Sequence, residues 1–219
     1  MGGILIAVSQ PAISLSDVQA QYSPTDRTRP QRTQGGGSRG CVNAEPVSLQ
    51  LLVPEENNSR TVSSHPTLSW YISAVPSTPL EFALVEEGVA KPILVKRLPV
   101  KNAGLMQFKL PEDVSGLQIG KEYRWTVSLI CNPERPSQST YARAWIERSS
   151  VSSSLDKNLA SKSSYDKALA YIKAGIWYDA IASITEPQLS GSDLTLASNL
   201  FKDLMQQAGI KESGAIKLL

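Results

Sequence analysis

Histidine is nearly missing from this chain. His65 is the single one among 219 residues, and there are two cysteines, Cys41 and Cys131. A zinc site of the usual imidazole and thiolate ligands cannot be assembled from that stock without leaning on carboxylates, so neither a metal nor another cofactor is expected. Long apolar runs are missing too. The longest near the start, Ile4-Leu5-Ile6-Ala7-Val8, falls far short of the roughly 20 residues that span a bilayer as a helix, and no membrane span is expected. Charge of one sign is also lacking. With 22 basic and 20 acidic residues the formal net charge is +2, too weak a field to argue for a nucleic-acid partner. The run Gly35-Gly36-Gly37-Ser38-Arg39-Gly40 lacks a following Gly-Lys-Ser/Thr and a preceding strand, which removes it as a phosphate loop.

An apolar content of 41% is enough to build a core. Within residues 41–148, apolar and polar residues alternate in short runs separated by Pro, Gly, Asn and Asp, the pattern of an all-β domain. Seven strands are predicted, over 47–53, 67–72, 80–86, 93–98, 105–110, 121–131 and 141–147. The most regular stretch is Gly120 to Cys131. Tyr123, Trp125, Val127, Leu129 and Cys131 fall on one parity, and Arg124, Thr126 and Ser128 on the other, so it is expected to be the central strand of a β-sandwich. Seven short strands are the immunoglobulin-like count.

The flanks differ from this domain. Residues 1–20 resemble a truncated secretory signal, with a short apolar core and Val18-Gln19-Ala20 at the cleavage spacing, but without a positive n-region. Residues 21–40 are rich in Arg, Pro, Gln, Ser and Gly and read as a basic, unordered linker. After a Ser-rich joint at 149–154 the periodicity becomes helical, and residues 155–219 are expected to form a small α-helical cap, making the chain α+β overall. One helix should run to Ala174 with Gly175 past its end, a second should carry Trp177, Ile181 and Ile184, and a third should start after Ser190 and end near Gly209. Gly175-Ile176-Trp177-Tyr178-Asp179-Ala180-Ile181 resembles the second helix of a tetratricopeptide hairpin, with Trp177 as core.

Two cysteines in an exported chain suggest a Cys41–Cys131 disulfide, the alternative being two separate thiols. His65, in Ser64-His65-Pro66, reads as a turn residue. The carboxylate clusters Glu55-Glu56, Glu86-Glu87 and Glu112-Asp113 fall in turns or strand ends, where such charges are ordinarily solvated. No catalytic residue is assigned. Aromatic residues are better candidates for binding: Tyr71 has the parity opposite to Trp70, and Tyr141 and Trp145 share one face of the last strand. The competing reading places Tyr141 and Trp145 at an interface with the helices.

Leu117-Gln118-Ile119-Gly120-Lys121-Glu122-Tyr123 resembles the approach to the sixth strand of fibronectin type III modules, and Trp70 their early-strand tryptophan. The resemblance implies a tyrosine corner at Tyr123. More widely, Gly37-Ser38-Arg39-Gly40-Cys41, Pro66-Thr67-Leu68-Ser69-Trp70-Tyr71, Gly120 to Trp125, Ala144-Trp145-Ile146-Glu147-Arg148 and Gly175 to Ala180 resemble an uncharacterised family of exported cyanobacterial proteins, domain-of-unknown-function family 928. That family brings no site residues. The expectation is a non-enzymatic periplasmic or secreted module that binds a protein or glycan of the cell envelope. The alternative is a cell-wall or polysaccharide hydrolase using His65 or loop carboxylates.

Overall fold

The computed structural model describes residues 21–22, 31–35, 47–55, 59–131, 134, 139–151, 155, 159, 161–187 and 189–210. Residues 1–20, Cys41, most of residues 21–40 and half of the Ser-rich joint lie outside them. Within them are β1 (Gln34–Gly35), β2 (Leu49–Leu51), β3 (Ser59–Thr61), β4 (Thr67–Ile72), β5 (Leu80–Glu86), β6 (Leu94–Leu98), β7 (Gly104–Lys109), β8 (Glu122–Leu129), β9 (Thr140–Arg148), α1 (Ser164–Lys173), α2 (Trp177–Ile184) and α3 (Gly191–Gln207). The strands form a four-stranded sheet, β1-β2-β4-β7, and a five-stranded sheet, β3-β9-β8-β5-β6. Pairing is antiparallel except between β3 and β9.

All seven predicted strands are present, but the count among the described residues is nine. The additions, Gln-Gly and Ser-Arg-Thr, are two and three residues long and carry no apolar alternation to read. β1 pairs with β2, and β3 covers the edge of β9. Arg32 bridges to Arg143 through two backbone hydrogen bonds of 3.1 and 2.7 Å, the Trp145 amide donates to Gln31 Oε1 at 3.2 Å, and β3 pairs with residues 146–148. Residues 31–35 therefore correct the expected unordered linker over that part. They are held by the backbone groups of both sheets, a force that composition does not report. Gly35 passes so close to Tyr141 that an added Cβ would lie 2.8 Å from its backbone carbonyl.

β8 occupies the middle of its sheet, as its alternation predicted. Tyr123, Trp125, Val127 and Leu129 are buried, whereas Arg124, Thr126 and Ser128 are half-exposed. Trp125 meets Trp70 of the facing sheet at 6.5 Å between ring centroids, and Phe82 meets Phe108 at 4.7 Å. The Tyr123 hydroxyl accepts from the Gln118 amide at 2.8 Å, which makes the expected corner.

The helices complete the same core. Ser163 caps α1 by accepting from the Asp166 amide at 3.1 Å. At its other end Gly175 takes a positive φ of 69°, while the Ile176 amide reaches back to the Tyr171 carbonyl at 2.9 Å, so the chain reverses into α2. α2 then ties the two sheets together. Trp177, fully buried, donates its indole N–H to the Leu52 carbonyl at 2.7 Å. The Tyr178 hydroxyl accepts from Trp125 Nε1 at 2.8 Å and donates to the Trp145 carbonyl at 3.0 Å. Burial pushes the Tyr178 phenol far above its ordinary range. Asp179 accepts from the Val62 amide at 3.1 Å, and Gln107 of β7 donates to Thr185 at 2.7 Å. The Tyr22 ring packs edge-on against Trp177 at 4.9 Å.

Candidate functional site

Cross-strand register defines the outer face of the five-stranded sheet. Trp145, Arg124 and Val85 lie side by side in one row, Arg143, Thr126, Ala83 and Val95 in the next, and Tyr141, Ser128, Glu81 and Arg97 in a third. The small residues Ala83, Thr126 and Ser128 form a low floor along the centre. Tyr141, Arg143 and Trp145 rise along β9 on one side, with Val95 and Arg97 along β6 on the other. Successive same-face residues on β9 are about 6.8 Å apart.

Guanidinium groups and aromatic rings are interleaved here. The Arg124 guanidinium lies 6.0 Å from the Trp145 ring centroid, while Arg32 and Arg143 lie 4.7 and 5.9 Å from that of Tyr141. None of these three arginines, nor Arg97, forms an ion pair among the described residues. Beyond Trp145 and Arg124 the turn Glu86–Ala90 overhangs the sheet and closes a cleft of about 290 Å³ lined by Val85, Glu86, Glu87, Gly88, Val89, Ala90, Arg124 and Trp145. Glu86 in this wall is paired with Lys121 at 2.6 Å.

Of the three aromatic candidates, Tyr141 and Trp145 are half-exposed and share this face. Tyr71 does not join them. It is 7% exposed, because both faces of β4 are covered: Gln107, on the Tyr71 side of that sheet, is tied to Thr185 at the end of α2. Parity alone could not reveal that the helices cover that face. Arg124 was legible only as a polar position of β8, and its role next to Trp145 depends on the register.

The chemistry weighed for catalysis is distributed elsewhere. His65 Nε2 donates to the Val114 carbonyl at 3.1 Å, and the Ser64 hydroxyl lies 3.0 Å from Nδ1. Glu112 stands on that same Nδ1 at 3.1 Å. A nucleophile–base–acid relay needs serine and carboxylate on opposite ring nitrogens, and here both stand on one. The carboxylates are also engaged locally: Glu55 accepts from Gln34 at 3.0 Å, Glu86 holds Lys121, and Glu112 holds Lys109 at 3.4 Å. Among the described residues no cluster of metal-ligating side chains is found, and no helix is long and apolar enough to cross a membrane.

The chain matches the model of the family described as Domain of Unknown Function (DUF928) over residues 34–217, and it belongs to that family. No curated protein matches it.

Proposed function

We propose that this protein is a non-enzymatic interaction module of the cell envelope, periplasmic or secreted, which binds a protein or glycan partner on the outer face of the five-stranded sheet. The observation that carries the reading is the array on β9 and β8, where Tyr141, Arg143, Trp145 and Arg124 stand half-exposed beside a floor of small side chains. Aromatic rings with one apolar face and a polar surround are the groups that interfaces favour. The reading of the sandwich as immunoglobulin-like, in the fibronectin type III manner, draws support from the Tyr123 corner and from the parallel seating of β3 on β9. The Cys41–Cys131 disulfide belongs to the same proposal. A gain of the mass of two hydrogens on reduction of the exported protein would accompany it, and an unchanged mass would remove it.

Co-sedimentation with insoluble envelope material, together with an assay for released sugar or peptide, tests the function. The expected result is retention without turnover, lost when Tyr141, Arg143 and Trp145 are replaced together by alanine in a chain that still melts cooperatively. Turnover that disappears with His65→Ala would instead establish the hydrolase.

A further inference from the structure

We infer that the partner of this face is an acidic polysaccharide, a linear glycan with carboxylates spaced along its length; the inference rests on the interaction-face reading above. Charge is the first argument. Arg32, Arg97, Arg124 and Arg143 border the floor, and Glu81, the cross-strand neighbour of Arg97, is the one carboxylate within the three rows. Guanidinium groups that form no ion pair among the described residues are donors arranged for carboxylates, and their alternation with Tyr141 and Trp145 along β9 offers a ring and a charge at each step of an extended polymer. A pyranose ring has an apolar C–H face for the aromatic ring and a polar rim for Thr126 and Ser128.

The second argument separates a glycan from an acidic peptide. A peptide added as a strand would need open backbone groups beside the aromatic ridge. That edge of β9 is occupied by Gln31, Arg32 and β3, so recognition there must go through side chains. The cleft adds a limit. Arg124 provides for one anionic group, whereas the rest of the lining, with Glu87 and the Lys121-paired Glu86, holds no cation for a second one close by, which selects an anion spaced by the sugar repeat over a dense polyanion.

Polygalacturonate is the probe, with neutral dextran, dextran sulfate and polyglutamate as comparisons, titrated against the full chain at fixed ionic strength. Trp145 reports binding directly, because Trp70, Trp125 and Trp177 are fully buried and Trp145 is the half-exposed member of the four tryptophans. Polygalacturonate should shift the emission, and Trp145→Phe should remove the shift. Arg124→Gln and Arg143→Gln should each weaken binding about tenfold without changing the melting temperature. Equal binding of polyglutamate, or of dextran sulfate with Trp145→Ala indifferent, would overturn the glycan assignment, as would equal binding of neutral dextran. If envelope material still needs Tyr141, Arg143 and Trp145 while polygalacturonate does not bind, the ligand class fails and the interaction face stands. If the triple replacement leaves retention on envelope material unchanged, the face itself fails.

Discussion

Trp177 and Trp145 are treated in opposite ways by the same domain. Trp177 is sealed at the junction of α2 with the sandwich, and its indole N–H, the Tyr178 hydroxyl and the Asp179 carboxylate all end on backbone groups in or next to the strands. Trp145 is half-exposed on the outer face, beside guanidinium groups that have no carboxylate among the described residues. Where the chain pairs the polar groups of Trp177, Tyr178 and Asp179 internally, it makes a joint. Where it sets out arginines with no ion pair among the described residues beside half-exposed rings, it makes a surface for something else.

The largest effect should come from the joint. Trp177→Ala removes a fully buried ring that links α2 to Leu52, and a loss of about 3–5 kcal/mol in urea unfolding is expected. A loss under about 1 kcal/mol would mean that the helices are an appendage and would erase the contrast. Tyr178→Phe is subtler in volume but strands the Trp125 indole N–H and removes the bond to the Trp145 carbonyl, for an expected cost of about 1–3 kcal/mol.

Asp179 tests the joint through pH. Burial raises its pKa, against the hydrogen bonds from Thr61 and the Val62 amide. The native state therefore holds the proton more tightly than the unfolded chain, and stability falls as pH rises from the unfolded value of about 3.9 through the raised native one. Unfolding of the wild type and Asp179→Asn, compared across that window, should show the wild type gaining on the variant as pH is lowered. Parallel profiles would place the carboxylate in a water-like setting.

The smallest effect belongs to the outer face. Arg143→Gln should move stability by no more than about 0.5 kcal/mol, and a larger loss would show that the arginine holds the sheet together instead of serving a ligand.

The alternation of Tyr123, Trp125, Val127 and Leu129 was visible along the chain, and so were the two helix ends marked by Gly175 and Gly209. Both Tyr141 and Trp145 could also be assigned to one face. Tyr71 could not be judged in the same manner, since its exposure depends on helices a hundred residues further along. The seam residues Gln31 and Arg32 carried no signal at all. Their order comes from hydrogen bonds to β9, and backbone groups are the same whatever the side chain.

Local pattern thus determined the longer elements of this protein, because parity, capping and turn chemistry act between residues a few positions apart. Tertiary structure decided which outer face was left open. Burial of Tyr71 and exposure of Trp145 follow from where α2 docks and from the register that brings Arg124 beside Trp145. Those are long-range contacts, and no short stretch of sequence contains both partners.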